Sequence, residues 1–410
     1  DFCLSRGLGD VYKRQVGIIA APGFPMQLSE KLSADLPSTL NRALEQDITW
    51  NFQCVENPLI GSAEDVNKSL DFAKSIQDEH QWDYAIVVTD LPIVEGKKVV
   101  VGNLDEPMGT GLVSIPALGF IRVKQKLKQC LLYFAETVYL YHNEQDKTKR
   151  NLNLSLFTRI KPEHTILDEK QENDMLTEDE QEEGDQTSHS KTTTKFILSP
   201  LIISWILLLA GMIRANQPWK EIPNFKKIIS LSFATATYLT IFSTPWQLSI
   251  EYSNLRFIFM TTLAIGGMVL WIMYAHSLWE YPTTMTTRTY RTVYNITTVF
   301  TLLIIIVLSY LILFALLMIS VALFVPNDLY NMSTSNEGTR TIAQFLYLTW
   351  FVTSLGFLAG ALGASVENEQ KIRAMTYSYR QRARYEEAKR WEASNYYSSD
   401  DTNNQSQSHN

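Results

Sequence analysis

The stretch ITTVFTLLIIIVLSYLILFALLMISVALFV, Ile296–Val325, decides what kind of molecule this chain encodes. It contains no Asp, Glu, Lys, Arg or His, and it is longer than the roughly 20 apolar residues a helix needs to cross a hydrocarbon core. A helix of that length must tilt or project beyond the bilayer. On either side of it, Phe257–Tyr274 and Ile342–Ser365 are of spanning length, and Ile228–Ser243 joins them if it begins near Lys227. Phe196–Ile213 is shorter and is interrupted early by Pro200. It reads as an interfacial or re-entrant helix, or as an additional span. From Ile228 to residue 366 the expectation is a four-helix transmembrane region.

Charge orients these spans. Arg214, Lys220, Lys226 and Lys227 crowd one loop, Arg288 and Arg291 lie two loops later, and Lys371, Arg373, Arg380, Arg382, Arg384, Lys389 and Arg390 follow the last span. The intervening loops, Thr244–Arg256 and Pro326–Arg340, are poor in cations. By the positive-inside rule the basic loops face the cytoplasm. Polar residues within the spans are mild: Thr235, Thr237, Ser309, Thr353 and Ser354. Ion-coupled carriers need ionisable groups in the bilayer, and these spans offer none, so an autonomous pump is disfavoured. Gly356-x-x-x-Gly360, Gly363 and Gly266-Gly267 suit close helix packing within the bundle. Trp219, Trp246, Trp279 and Trp350 are expected as interfacial anchors. Residues 367–394 read as a basic amphipathic helix on the anionic inner leaflet, and residues 395–410 as a disordered tail.

Ahead of the spans the pattern changes. Asp10-Val-Tyr-Lys-Arg-Gln15 reads as the translation of a sequencing adapter, so Asp1–Gln15 is set aside in reading the fold. Val16–Ala21 is strand-like, Pro25–Leu44 helical, Ile48–Val55 a strand and Ala63–Glu79 a second helix. Tyr84–Val88 has the continuous apolar character of a buried central strand. Val99–Val101 and Leu112–Ile115 are further strands, and Phe120–Tyr141 is a long closing helix. The fold class is therefore an α/β mixed-sheet soluble domain over residues 16–143, followed by an all-α transmembrane helical bundle. Residues 144–195 are acidic and read as a flexible tether.

The net charge of −7 comes largely from that tether. Without a basic face, no nucleic-acid partner is expected; the lipid bilayer is, together with a membrane or cytoplasmic protein. Cys54 and Cys130 show neither disulfide nor metal spacing. No dinucleotide fingerprint follows the first strand, because Ala20-Ala-Pro-Gly-Phe-Pro holds a single glycine. Gly109-Thr-Gly111 lacks the Lys-Ser/Thr of a P-loop. No cofactor, no metal and no catalytic residue are assigned. Asp90 directly follows the central strand, where ligands gather in α/β sheets, or else it caps the turn before Leu91-Pro92. Thr89, Asp90, Ser114 and Glu136 are the candidate ligand-binding residues.

Val87-Val-Thr-Asp-Leu-Pro-Ile, Val99-Val-Val-Gly, Gly111-Leu-Val-Ser-Ile-Pro-Ala-Leu and the helix after them resemble the strand–strand–helix core of archaemetzincin-type zinc peptidases. In that family the helix carries His-Glu-x-x-His. The register here is Ala135-Glu136-Thr-Val-Tyr139, with His142 the nearest imidazole. The resemblance therefore implies a zincin-like scaffold that keeps Glu136 and lacks its metal. The whole layout, with Gly211-Met-Ile-Arg-Ala-Asn-Gln-Pro-Trp219, Tyr294-Asn-Ile-Thr-Thr-Val and Gly360-Ala-Leu-Gly363, resembles uncharacterised polytopic membrane proteins of Gram-positive bacteria. Some of these are labelled methylenetetrahydrofolate dehydrogenase. Three functions stay open: a bacterial plasma-membrane protein with a cytoplasmic, non-catalytic binding domain; a membrane-tethered hydrolase or folate-type dehydrogenase; and an accessory subunit of a transporter.

Overall fold

The structure, a computed structural model, describes residues 13–44, 48–61, 66–143, 154, 160–167, 191–282, 288–334 and 341–361, with isolated positions between 372 and 386. The chain divides into two compact units, residues 1–215 with 381–410, and residues 216–380.

The first unit is built on an eight-stranded mixed sheet. In chain order its elements are β1 (Lys13–Ala20), α1 (Phe24–Ser33), α2 (Leu36–Leu44), β2 (Thr49–Glu56), α3 (Val66–Glu79), β3 (Tyr84–Thr89), β4 (Ile93–Glu95), β5 (Lys98–Asp105) and β6 (Thr110–Ser114). There follow α4 (Val123–His142), β7 (Ile160–Leu167), β8 (Lys191–Leu198) and α5 (Leu201–Asn216). The strand order is β2-β1-β3-β6-β5-β8-β7, with β4 on β5. The first four strands of that path are parallel, and β5, β8 and β7 join antiparallel. Every residue of β3 and β6 is buried, as the apolar runs require of central strands covered on both faces. Helix α4 lies close on the strands because β5 and β6 each present a glycine beneath Phe134. A Cβ at Gly111 would stand 2.8 Å from that ring, and one at Gly102 3.0 Å.

Four expectations change here. The single helix over Pro25–Leu44 is two, because Pro37 has no N–H to continue the hydrogen-bond ladder. Lys13–Gln15, set aside with the leading segment, extend β1 alongside β2; ladder pairing uses the backbone and is indifferent to side-chain origin. The acidic tether over residues 144–195 supplies β7 and the first five residues of β8, where threonines and alternating apolar residues favour extended backbone. Residues 168–190 lie outside the described residues. Finally, Phe196–Leu198 end β8, and the helix that follows starts at Leu201.

Helix α5 is docked on its own unit. A Cβ at Gly211 would fall 1.9 Å from the Pro116 carbonyl oxygen, so only glycine permits this approach. Arg214 lies over the Phe120 ring at 5.6 Å. The opposite side of α5 leaves Ile202 and Ile206 exposed.

The second unit is helical: α6 (Pro218–Glu221), α7 (Lys226–Leu239), α8 (Ser243–Glu251), α9 (Asn254–Ala275), α10 (Arg288–Phe324), α11 (Asn327–Thr334) and α12 (Ile342–Gly360). Four helical stretches are long and apolar enough to cross a membrane: Leu201–Leu239, in which α5, α6 and α7 follow one another, Asn254–Ala275, Arg288–Phe324 and Ile342–Gly360. Taken alone, α7 has 14 residues, about 21 Å of helix and less than the ~30 Å hydrocarbon core. Gly356 and Gly360 of α12 pack on Ser232 and Ala236 of α7, so the small-residue pattern works within one chain.

The two cation-poor loops each hold a short helix, α8 and α11, and these meet. Trp246 faces Tyr330 with ring centroids 6.1 Å apart, and Gln247 Nε2 donates to the Ser333 carbonyl at 3.0 Å. Trp246 is thus buried, its indole N–H held by the Thr240 carbonyl, and is no lipid anchor. Trp350 likewise turns its N–H to Thr261 inside the bundle. An indole N–H within an apolar layer needs a partner, and an intramolecular one prevails over the interface. The segment expected to lie on the lipid surface also folds back in part: Ile372 and Tyr377 are buried, Tyr377 stacking on Tyr294 with centroids 5.7 Å apart. Residues 387–410, including the tail over 395–410, lie outside the described residues.

Candidate functional site

The parallel register of β3 and β6 pairs Thr89 with Ser114 and brings both to the carboxyl edge of the sheet, with Asp90 following. All three are buried. Their hydroxyls converge on one residue, Leu91. Thr89 Oγ1 accepts the Leu91 N–H at 3.1 Å, and Ser114 Oγ donates to the Leu91 carbonyl at 2.6 Å. Thr89 Oγ1 also lies 3.4 Å from the Ile60 carbonyl. The turn is therefore capped by Thr89, the residue before Asp90, in the manner of a serine/threonine turn. Both hydroxyl protons point at backbone carbonyls, so neither oxygen is poised as a nucleophile. Immediately beyond, Ile115–Leu118 run beneath α5 through the Pro116–Gly211 approach. Helix α5 thus meets the chain just beyond the carboxyl edge, where open α/β sheets hold ligands, at the Pro116–Gly211 approach.

Glu136 does not join this group. Helix α4 begins beside Leu118, whose carbonyl accepts from Lys126 Nζ at 2.6 Å, and ends with His142 beside Tyr84, ring centroids 5.7 Å apart. Tyr84 opens β3 and Thr89 closes it, so α4 runs against the strand and carries Glu136 towards the opposite end. In the zinc-helix register Ala135 is buried, and Tyr139 packs edge-on against Trp50 at 5.6 Å. Those two positions offer no metal ligand, and the residues present do not fit a zinc ion. His142 Nδ1 donates to the Val138 carbonyl at 3.0 Å. Among the described residues, no three His, Cys, Asp or Glu side chains are grouped to hold a metal.

No family model, curated protein or solved structure matches the chain.

Two polar groupings escaped the sequence reading. The β5–β6 turn, Asp105-Glu-Pro-Met-Gly109, buries both carboxylates under β8. Asp105 Oδ1 accepts the Met108 N–H at 3.0 Å, and Glu106 Oε1 accepts from Thr194 Oγ1 at 3.2 Å. Only the strand character of Lys191–Leu198 could have announced this. In the helical unit, Asn216 Nδ2 donates to Thr301 Oγ1 at 3.0 Å and its carbonyl oxygen accepts from Arg380. Arg373 Nε donates to the His276 carbonyl at 3.1 Å, and Asn295 and Glu280 bond through the Glu280 backbone at 2.8 and 3.2 Å.

Burial dominates the ionisation of the first unit. It pushes the Tyr84 phenol from 10.0 up to about 12, and the fully enclosed Cys130 thiol from 9.0 up to about 12. Both groups are neutral when folded, and the unfolded chain ionises them more readily. Their stabilising contribution is complete below pH 9 and disappears as the pH climbs towards 12. Alkaline unfolding of this unit, followed by Trp50 and Trp82 fluorescence, is expected to begin above pH 9. Tyr84→Phe should shift its midpoint upward; an unchanged midpoint would remove Tyr84 from the account.

Proposed function

We propose that the chain is a multi-pass integral membrane protein of a bacterial plasma membrane, and that its α/β unit is a non-catalytic cytoplasmic module for a ligand or protein partner. The observation that carries the membrane reading is the outward face of the long helices. Leu255, Phe259, Leu263 and Leu270 of α9, and Leu311, Ile319 and Leu323 of α10, are all exposed. Helices apolar all round belong in lipid, and in water such a surface would drive association. Orientation is supported by the way the ends sort. The cation-poor α8 and α11 pack together, while Arg373 and Arg380 gather at the His276 and Asn216 ends of their helices. The basic end belongs inside. The bacterial assignment rests on the resemblance of the Gly211–Trp219, Tyr294–Val299 and Gly360–Gly363 segments.

The non-catalytic reading is supported by the commitments at the sheet edge. Thr89 and Ser114 hold a backbone turn, and α5 lies against Pro116 just beyond it. A partner would then engage the outside of the unit or compete with α5. Side is tested by accessibility. Glu180→Cys, in a chain whose Cys3 and Cys54 are replaced by Ser, is expected to react with an impermeant maleimide in inside-out vesicles only. The buried Cys130 supplies a silent background. Labelling of intact cells would overturn the cytoplasmic assignment and make α5 part of a crossing segment.

A further inference from the structure

The loop between β6 and α4, Gly119-Phe-Ile-Arg122, departs from what its fold requires. Ile121 is 72% exposed and Phe120 is exposed beside it, although Ile115–Leu118 before them and Val123 after them are buried. Arg122 sits in the left-handed region at φ 56°, uncommon for a residue with a Cβ, and it opens α4 without a side-chain cap. A cation at that end also opposes the helix dipole. Polar residues at 120 and 121, and asparagine or glycine at 122, would serve the fold better. Local choices that disagree with the fold mark positions held for another purpose.

Helix α5 extends the same surface. It meets the loop at two points: Leu207 Cδ2 would lie 3.0 Å from a Cβ at Gly119, and Arg214 stands 5.6 Å over the Phe120 ring. Away from those contacts Leu201, Ile202 and Ile206 are exposed, Ile202 by 77%. Cations accompany the apolar residues. Arg122 and Lys124 are exposed, and Lys126 Nζ reaches the Leu118 carbonyl at 2.6 Å. The segments Thr110–Ala135 and Phe196–Lys220 contain no Asp or Glu. An apolar surface bordered by cations and without acids is complementary to acyl chains beneath anionic head groups. Arg214 also precedes Asn216, the first residue of the helical unit, by two positions, so the chain ties this surface to its own entry into the membrane.

We propose that Phe120, Ile121 and the outer face of α5 insert into the head-group layer of the anionic leaflet and hold the α/β unit on the membrane surface. Ile121 and Ile202 enter the boundary of the acyl chains, and Arg122 and Lys124 pair with lipid phosphates. The α/β unit is then seated on the bilayer through a loop of its own as well as through α5. The inference rests on the membrane reading above.

Full chains with Cys3 and Cys54 replaced by Ser, each carrying one new cysteine labelled with the fluorophore NBD, test it in nanodiscs of phosphatidylglycerol and phosphatidylcholine. Doxyl groups on the lipid chains near the head group quench any NBD that reaches them. Ile121→Cys and Ile202→Cys are expected to be quenched about threefold more than Glu79→Cys, an exposed site at the end of α3. Pure phosphatidylcholine, or Arg122→Glu combined with Lys124→Glu, should lower quenching at position 121 by about half and leave Phe259→Cys on α9 unchanged. Quenching at position 121 no greater than at 79, with position 259 quenched, would overturn this inference alone. Loss of quenching at position 259 refutes the membrane reading. Shielding of position 121 from aqueous iodide without quenching by doxyl lipid would assign the loop to a protein partner or a second copy, and overturn the lipid contact. Quenching at position 121 indifferent to phosphatidylglycerol and to the charge reversals would overturn the pairing of Arg122 and Lys124 with lipid phosphates.

Discussion

Gly356→Leu is expected to prevent stable assembly of the helical unit, at a cost of about 3 kcal/mol or more. A Cβ at Gly356 would stand 2.4 Å from the Ala236 Cβ and 2.8 Å from the Ser232 carbonyl oxygen, neither of which can swing away. The helices must separate, and contacts between α7 and α12 along the shared seam are lost with them. Gly360 makes a useful contrast. Its nearest obstacle is Ser232 Oγ at 1.8 Å, a side-chain atom that can rotate, although the Ser232 Cβ and Ile228 carbonyl follow at 3.1 and 3.3 Å. Gly360→Ala should therefore be tolerated better than Gly356→Ala. Thermal unfolding in detergent measures the order, and Ala236→Gly should partly restore Gly356→Ala. Equal stabilities for the two alanine variants would mean that the small-residue seam does not hold α7 to α12.

That seam was legible as Gly356-x-x-x-Gly360, because close helix approach has a local signature. Its partner residues Ser232 and Ala236 had none, since serine and alanine are common on any apolar helix. The sheet shows the same division. Tyr84–Val88 and Leu112–Ile115 announced themselves as buried strands by continuous apolar character. The pairing of Thr89 with Ser114 depends on the parallel register of strands far apart in sequence, which periodicity does not encode. Asp90 is legible as a carboxylate after a strand, whereas the Thr89 hydroxyl that accepts the Leu91 N–H in the same turn carries no such signal. β7 and β8 were masked by composition: glutamates and aspartates between them dominate residues 144–195, while Lys191–Leu198 is strand-like by itself. The family register groups Glu136 with the sheet edge, and only the direction of α4 across β3 separates them. The Trp350–Thr261 hydrogen bond joins α12 to α9; nothing along either helix marks it.

Gly211→Val should release α5 from the sheet edge while leaving the sheet folded. The Pro116 carbonyl oxygen, carbon and Cα would lie 1.9, 2.7 and 3.0 Å from a Cβ at position 211, all backbone atoms fixed by the turn after β6. Helix α5 must therefore lift, taking with it the Arg214 contact on Phe120 and the Leu207 contact on Gly119. The central strands do not depend on this contact, because the ladders β1–β3 and β3–β6 are made elsewhere. Hydrogen exchange of the full chain in nanodiscs distinguishes local from global loss. Amides of residues 117–119 are expected to exchange about 100-fold faster, equivalent to roughly 3 kcal/mol of lost docking, while those of β3 and of Ile115, which bonds the Thr89 carbonyl, remain protected. The released edge would then expose the turn held by Thr89 and Ser114, and any ligand or partner that competes with α5 should bind this variant more tightly than the parent. Unchanged protection at residues 117–119 would show that α5 is not held at this edge, and the carboxyl edge around Asp90 would stand as the open binding site.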